Sequence, residues 1–284
     1  MCKKHFTGMI TALALTLFGQ ASAQDRWMSI PPAASMPAAS STGTADVNGI
    51  SMYYANYGDA AGTPILMIHG GLAHADLWAA QVADLASDYT VVVADTRGHG
   101  RSTNDGSAYT YELLASDYIA LLDHLKIDKA HLVGWSDGAN IGYSISASAP
   151  ERLASHFAHA GNVSLDGIDP SVDTNAVFGS YVGMMAGDYG SMSPVPEGFD
   201  DFLNAVVAMW STDKPGGLDE LAKVNVPTLV VQSEHDEAIL MKHSEDIANA
   251  LPGGELLVLK GVSHFASLQA PDEYNAAIRA FLRP

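Results

Sequence analysis

Residues 134–138 place a serine between two glycines, in the sequence Gly-Trp-Ser-Asp-Gly. This segment follows the apolar run 130–135 and precedes helix-forming residues, so Ser136 is predicted to lie on a strand-to-helix turn. A side chain held on such a sharp turn has strained backbone angles, which bulky neighbours would prevent. The pattern G-x-S-x-G in this context predicts that Ser136 is a nucleophile. The alternative is an ordinary serine that caps the following helix.

A serine hydroxyl is a weak nucleophile at neutral pH, so it needs a base, and the base needs an orienting acid. In open parallel sheets the ligand site lies at the carboxyl ends of the strands, so both partners are expected just after strands. Asp236 follows the apolar run 227–233, and His264 follows the run 255–261. The order serine, aspartate, histidine is the one expected when the nucleophile lies on this kind of turn.

Other acidic and histidine side chains compete for these two roles. The alternatives for the acid are Glu234, Glu237 and Asp166. The histidines within predicted strands, which are expected to be structural, are His131, His156 and His159. The histidines on predicted helices, which are expected at the surface, are His124 and His243. Position alone favours Asp236 and His264.

The negative oxygen that develops during attack on a carbonyl group needs hydrogen-bond donors. One is predicted to be the backbone N–H of Asp137, the residue after the nucleophile. The other should come from the loop at 69–72, where Gly71 is preferred because glycine lets the backbone approach a substrate, and Leu72 is the reserve. His69 is expected to hold this loop through hydrogen bonds. The Asp137 carboxylate would oppose a nearby oxyanion, so we expect it to point toward the helix N-terminus, solvent or a partner.

Short apolar runs alternate with amphipathic stretches along most of the chain. The predicted strands lie at 64–70, 90–95, 130–135, 153–161, 227–233 and 255–261, and the predicted helices at 76–86, 110–125, 138–149, 241–251 and 271–282. Two strand-like runs around Asn48-Gly49 precede them and predict a hairpin. Wholly apolar strands separated by helices predict a doubly wound α/β fold: a mostly parallel sheet, helices on both faces and an antiparallel hairpin at its start.

Two segments depart from this alternation. Residues 24–44 are rich in Ala, Ser and Pro and are predicted to be a flexible lead-in. Residues 162–213 are rich in Gly, Ser, Asp and Pro and are predicted to be an irregular cap or lid, because long inserts in compact domains usually bind ligands. The alternative is a structural excursion with a small core of its own. The predicted core is then 45–161 together with 214–284.

The first residues, 1–23, have the pattern of a secretory signal peptide. Lys3-Lys4 supplies the positive start, residues 8–19 the apolar middle, and 21–23 the small-residue cleavage pattern before Gln24. We therefore expect export to a periplasm or to the medium, with cleavage near Ala23-Gln24. An uncleaved anchor is the alternative, although the apolar run is short for a bilayer span.

The charge of the chain limits the partners it can have. The formal net charge is −18, which argues against nucleic acid or an anionic membrane surface. The single cysteine, Cys2, lies within the predicted signal, so the mature chain is expected to lack disulfides. The prediction includes no cofactor and no metal ion, a small-molecule substrate, and no stable membrane span after signal cleavage. The oligomeric state stays open.

Five stretches resemble the conserved blocks of the α/β-hydrolase superfamily: ILMIHGGLAHADLW, VVVADTRGHGRS, HLVGWSDGANIGY, PTLVVQSEHDEAI and GVSHFASLQAPDEYNAAIRAFL. The resemblance covers about residues 45–284 apart from the insert. It implies an α/β-hydrolase fold with Ser136 as nucleophile, Asp236 as acid and His264 as base. It also implies a cap over the site at about 162–213.

The type of nucleophile narrows the reaction. Relatives such as haloalkane dehalogenases and epoxide hydrolases carry aspartate at this position, so Ser136 favours acyl transfer to water. The prediction is an exported serine hydrolase that cleaves carboxylic esters or lactones through an acyl-enzyme, with a small to medium, partly apolar substrate. Carbon–carbon bond hydrolases and cofactor-free perhydrolases resemble it in their catalytic residues and are the alternatives. A non-catalytic binding module on the same fold is a third possibility.

Overall fold

The computed structural model describes residues 26–212 and 215–282. Its strands are β1 (Ser41–Val47), β2 (Ile50–Tyr57), β3 (Ile65–Ile68), β4 (Val91–Ala94), β5 (Ala130–Trp135), β6 (Leu153–His159), β7 (Thr228–Ser233) and β8 (Glu255–Leu259). Its α-helices are α1 (Ala79–Leu85), α2 (Tyr111–His124), α3 (Asp137–Ser148), α4 (Ala176–Met192), α5 (Phe199–Thr212), α6 (Leu218–Leu221), α7 (Met241–Ala250), α8 (Ala266–Gln269) and α9 (Pro271–Leu282). No helix within these described ranges is long and apolar enough to cross a bilayer.

The described strands form one sheet of eight, in the order β1-β2-β4-β3-β5-β6-β7-β8. The pairs β1–β2 and β2–β4 are antiparallel, and the pairs from β4 through β8 are parallel. Strands β3 and β4 are buried along their whole length, as expected of strands covered by helices on both faces. The predicted doubly wound α/β fold with an antiparallel start is confirmed.

Local sequence signals set two of the predicted element boundaries. Asn48 and Gly49 both have positive φ, 43° and 85°, which is the geometry of a tight hairpin turn between β1 and β2. Helix α2 begins after Thr110, whose side-chain oxygen accepts the backbone N–H of Leu113 at 3.1 Å. This cap satisfies a donor that the first turn of a helix cannot pair internally.

The described part of the insert is largely helical, so the prediction of an irregular segment at 162–213 is wrong in this respect. On α4, Tyr181, Met185 and Tyr189 recur every fourth residue and are buried. They form one apolar face that packs on the core. Asn175 caps the helix by accepting the backbone N–H groups of Val177 and Phe178. Tertiary packing and this cap outweigh the low helix propensity of the four glycines in α4.

Gly183→Ala is expected to stabilise the protein by about 0.5–1 kcal/mol, because alanine loses less conformational entropy in a helix than glycine. A methyl group added at Gly183 meets nothing within 4 Å, so no clash offsets this gain. The free energy of unfolding from urea titration measures it. Gly138→Ala is the matched contrast, because its methyl group would overlap the carbonyl oxygen of Ile68, and it should destabilise strongly. An unchanged or lower stability for Gly183→Ala would contradict this account of α4.

The segment at 24–44, predicted to be a flexible lead-in, is ordered against the core from residue 26 onward. Strand β1 already begins at Ser41. Before it, the side chains of Ile30 and Met36 pack against the core. An extended segment that packs through single side chains leaves no periodic pattern in the sequence, which is why composition alone indicated disorder. The predicted signal peptide at 1–23 lies outside the described residues.

Candidate active site

Ser136 lies on a strained turn between β5 and α3, with φ 55° and ψ −119°. Both flanking glycines are needed for this turn. A methyl group at Gly134 would lie 2.5 Å from the carbonyl oxygen of Gly138, and one at Gly138 would overlap that of Ile68. The Ser136 hydroxyl forms no capping hydrogen bond with α3, which argues against the helix-cap alternative. Ser136 is partly buried, and its turn has the strand-to-helix geometry that the predicted nucleophile requires.

Asp236 and His264 meet after β7 and β8, as the order of strands predicted. Nδ1 of His264 lies 3.0 Å from Oδ1 and 3.1 Å from Oδ2 of Asp236. Both side chains are almost completely buried. Asp236 Oδ1 also accepts the backbone N–H groups of Ala238 and Ile239 at 2.9 and 2.8 Å, which fixes the orientation of the carboxylate. The acid therefore holds the Nδ1 side of the imidazole, which leaves Nε2 for another partner.

The contact between Asp236 and His264 favours an ionised Asp236 carboxylate and a basic His264 imidazole. Burial by itself would lower the pKa of His264, but the Asp236 carboxylate, together with the charges of Glu237 and Asp137, outweighs burial, so this pKa is raised above its ordinary value. Burial also opposes ionisation of Asp236, yet the imidazole and the two N–H donors together lower the pKa of its carboxyl group. A carboxylate in this position stabilises the charged form of the imidazole.

The three alternatives for the acid have other positions. Glu237 accepts the backbone N–H of His264 at 3.0 Å, so it contacts the main chain of the base instead of its ring. Burial raises the pKa of Glu237. Glu234 accepts from the side chain of Lys260 and the backbone of the neighbouring glycine. Asp166 is exposed on a short turn in the insert. Among these acids, Asp236 is the one whose carboxylate meets the imidazole of His264.

The two residues predicted for the oxyanion site lie side by side. A methyl group added at Gly71 would lie 2.5 Å from Oδ2 of Asp137, so a larger residue does not fit there. His69 holds the same loop, because its Nδ1 donates to the carbonyl oxygen of Gly70 at 2.7 Å and its Nε2 accepts the N–H of Thr96 at 3.1 Å. Burial lowers the pKa of His69 to about 3, so its ring is neutral.

The Asp137 carboxylate is directed to partner side chains, one of the three directions expected from the sequence. Its Oδ1 accepts the hydroxyl of Tyr111 at 2.7 Å, and its Oδ2 accepts Nε1–H of Trp210 at 2.8 Å. Trp210 belongs to α5, so this bond joins the insert to the residue that follows the serine. A second hydrogen bond joins the insert to Gly71, the other residue predicted for the oxyanion site: the Tyr181 hydroxyl donates to the carbonyl oxygen of Gly71 at 2.6 Å.

Tyr181→Phe is expected to lower kcat for ester hydrolysis by about tenfold, because the loop that carries Gly71 loses a buried hydrogen bond worth about 1 kcal/mol or more. The matched control is Tyr189→Phe on the same helix, whose ring stacks on Phe202 with centroids 4.8 Å apart. Steady-state kinetics on one ester measures kcat and KM for both variants. Equal kcat values for the two variants would contradict a role of Tyr181 in placing the loop.

The three histidines placed on strands by the sequence lie on β5 and β6, and each is at least partly buried. Burial lowers the pKa values of His156 and His159 to about 3, so both are neutral, as expected for the core. His131 bonds to Ser155, and His124 is exposed. The expectation for His243 is wrong: this residue is buried, and its Nε2 accepts the N–H of Val163 at 3.0 Å.

Ser136 and His264 open into one cavity of about 710 Å³ that α4 and α5 border. Most of its wall is apolar, including Leu165, Val182 and Val207 of the insert. A volume and lining of this kind suit a small to medium organic ligand. Over residues 26–212 and 215–282, no group of three or more His, Cys, Asp or Glu side chains is arranged to hold a metal ion.

Trp135 was not identified as a site residue from the sequence, although it lies within the G-x-S-x-G pattern. Its Nε1 donates to the carbonyl oxygen of His264 at 2.8 Å, and its ring lies 5.6 Å from the imidazole between centroids. The same side chain thus links the serine turn to the loop of the histidine. Its position one residue before the serine was the only available signal, because the contact joins residues 129 positions apart.

Many of the proteins that this chain resembles are described as hydrolases. Residues 63–201 match the sequence model of a family described as alpha/beta hydrolase fold. The structure of Est816, described as an N-acyl homoserine lactone degrading enzyme, is 29% identical with a TM-score of 0.69, and the match covers 84% of this chain and 100% of that chain. A putative carbamate hydrolase RutD of Pseudomonas savastanoi pv. phaseolicola is 27% identical, over 78% of this chain and 95% of the relative. The 3-oxoadipate enol-lactonase 2 of Acinetobacter baylyi is 24% identical, over 82% and 94%.

The sheet order, the serine turn after β5 and these similarities define the class of this protein as a hydrolase. The described fold is the alpha/beta hydrolase fold whose family model matches residues 63–201, as the sequence resemblance implies.

Proposed function

We propose that the chain is an exported serine hydrolase that cleaves carboxylic esters or lactones through an acyl-enzyme. The observation that carries this proposal is the shared cavity: Ser136 on its strained turn and His264 open into it, and Asp236 holds Nδ1 of His264 at 3.0 Å. A serine, a histidine and an acid in these relations are the components of acyl transfer to water.

In the proposed reaction, Nε2 of His264 takes the proton of the Ser136 hydroxyl while the serine oxygen attacks the carbonyl carbon. The backbone N–H groups of Gly71 and Asp137 stabilise the developing oxyanion. His264 then protonates the leaving alkoxide, and an acyl-enzyme remains. A water molecule, deprotonated by His264, releases the acid and restores the serine. Asp236 keeps the imidazole in the required tautomer and stabilises its charged form.

The apolar cavity wall supports a substrate with a small to medium apolar acyl group. Lactones are included because the relatives at 29% and 24% identity are described as a lactone-degrading enzyme and an enol-lactonase. The proposal of export rests on the signal pattern of residues 1–23. N-terminal sequencing of the protein from a periplasmic or medium fraction tests it, and the expected first residue is Gln24.

A substrate panel on wild type and Ser136→Ala tests the chemistry. We expect Ser136-dependent turnover of short esters and lactones and much slower turnover of amides. Turnover confined to a vinylogous diketone, or peroxide-dependent halogenation without ester hydrolysis, would favour the carbon–carbon hydrolase or perhydrolase alternative. A fluorophosphonate probe that does not label Ser136 in the folded protein would favour a non-catalytic module.

A further inference from the structure

The N-terminal residues 26–29, here called the strap, contact two loops of the proposed site. The acid loop, 234–237, follows β7 and contains the proposed acid, and the base loop, 260–264, follows β8 and contains the proposed base. The two loops are bonded to each other, since the N–H of His235 donates to the carbonyl oxygen of Val262 at 3.0 Å. A contact that fixes the position of one loop therefore also limits the motion of the other.

The side chain of Arg26 binds main-chain carbonyl oxygens of the base loop. Its Nε donates to the carbonyl oxygen of Gly261 at 3.0 Å, and one terminal nitrogen donates to that of Lys260 at 2.9 Å. The guanidinium also forms a two-point ion pair with Glu273 on α9, at 2.9 and 2.8 Å. Charged, two-point bonds of this kind are stronger and more directional than neutral ones. One side chain thus fixes the start of the base loop against α9.

Trp27 and Ser29 extend this contact to the acid loop and to the end of the base loop. The Trp27 ring stacks on His235, one residue before the proposed acid, with centroids 4.5 Å apart and planes 22° apart. The carbonyl oxygen of Ser29 accepts Nε2–H of Gln269 at 2.9 Å. The Oε1 of Gln269 in turn accepts the N–H of Ser263, the residue before the proposed base, at 2.7 Å.

The base loop lies at the edge of the sheet, where contacts from the strap can limit its motion. Strand β8 is an edge strand of the sheet and most of its residues are only partly buried. The base loop follows this edge strand, so no further strand of the sheet lies beyond it, and contacts from other segments hold it on that side. The strap supplies contacts on that open side. The N-terminal chain then continues to β1 at the opposite edge, where strand pairing anchors it.

We propose that the strap positions the proposed acid and base by holding the acid loop and the base loop in fixed positions relative to each other. Arg26 and Trp27 are the positioning residues. The expected effect of the strap on catalysis rests on the proposed function, whereas its effect on the stability of the two loops does not. If cleavage occurs near Ala23-Gln24 as expected from the sequence, Arg26 lies within three residues of the mature N-terminus. Removal of a few residues from that end would then remove the contacts of the strap and lower the activity, although no residue of the proposed site would change.

The test compares three proteins that begin at Gln24: the parent, the double variant Arg26→Ala/Trp27→Ala and the control Met28→Ala. Met28 is a matched control because it lies in the same segment and is 58% exposed. Hydrogen exchange followed by mass spectrometry reports on peptides from the acid loop, the base loop and the serine turn. We expect about tenfold faster exchange in both loops of the double variant and unchanged exchange at the serine turn, as for the loss of charged hydrogen bonds. Met28→Ala should behave as the parent.

Kinetics supplies the second readout. The double variant should hydrolyse an ester with a kcat about tenfold lower and a KM within about twofold of the parent, because base and acid are misplaced while the cavity is intact. Parental exchange in both loops, or an equal increase over the whole chain, would overturn the proposal. If the parent shows no Ser136-dependent hydrolysis, the proposed function fails, and loop exchange still decides whether the strap braces the loops.

Discussion

Ser136→Ala is expected to lower kcat/KM for a short p-nitrophenyl ester by about 10⁶-fold, the scale seen when a triad nucleophile is removed. The reason is chemical: alanine has no oxygen to attack the carbonyl carbon, and a bound water molecule replaces it poorly. The fold should persist, because the Ser136 hydroxyl forms no capping bond with α3. A pre-steady-state burst of p-nitrophenol, if wild type shows one, should disappear as well.

Ser148→Ala is the matched control for this loss. Ser148 lies at the other end of α3, is exposed and bonds to the carbonyl oxygen of Ser144. Its variant should keep wild-type turnover. If Ser136→Ala keeps more than about a hundredth of wild-type kcat/KM, another residue is the nucleophile and the proposed mechanism is wrong.

Asp236→Asn has the second largest expected effect, a loss of about 10⁴-fold in kcat. The asparagine amide would present N–H donors to Nδ1 of His264, which now lies 3.0 Å from a carboxylate oxygen. The imidazole would then carry its proton on Nε2, the tautomer that cannot accept the proton of the serine. Glu234→Gln in the same loop is the control, because its carboxylate bonds to Lys260 and Gly261 instead.

The pH dependence of kcat/KM provides an independent check on the same pair. The base acts only when neutral, and the pKa of His264 is raised above its ordinary value of 6.5. Activity of the wild type should therefore fall as pH decreases, with a midpoint above 6.5. Without the Asp236 charge, burial should lower the pKa of His264, so the residual activity of Asp236→Asn should have its midpoint at lower pH. A midpoint that stays in place would show that another group controls the acid limb.

Local patterns predicted the sheet and the positions of the site residues because each depends on a few adjacent residues. Apolar runs predicted strands β3 to β8, and the polar residues directly after β7 and β8 are those that meet in the structure. The sequence separates Asp236 from Glu234 and Glu237 by position alone. All three follow the same strand within four positions, and only the direction of each side chain separates them.

The insert and the N-terminal segment were beyond prediction from composition. Helix α4 contains four glycines, which indicate a loop, yet its buried face of Tyr181, Met185 and Tyr189 has a core to pack against. Residues 26–40 have no hydrophobic periodicity. Arg26 forms its hydrogen bonds with residues more than 230 positions away in the sequence. Contacts at such separations leave no local signal.

The sequence by itself determined the fold class, the serine turn and the chain order of the three proposed catalytic residues, because hydrophobic periodicity and glycine placement act over short distances. Only the tertiary structure decided which acid reaches the imidazole, how Asp137 is held by Tyr111 and Trp210, and that the strap contacts both loops. These features depend on the direction of side chains from distant segments, which is set when the whole core packs.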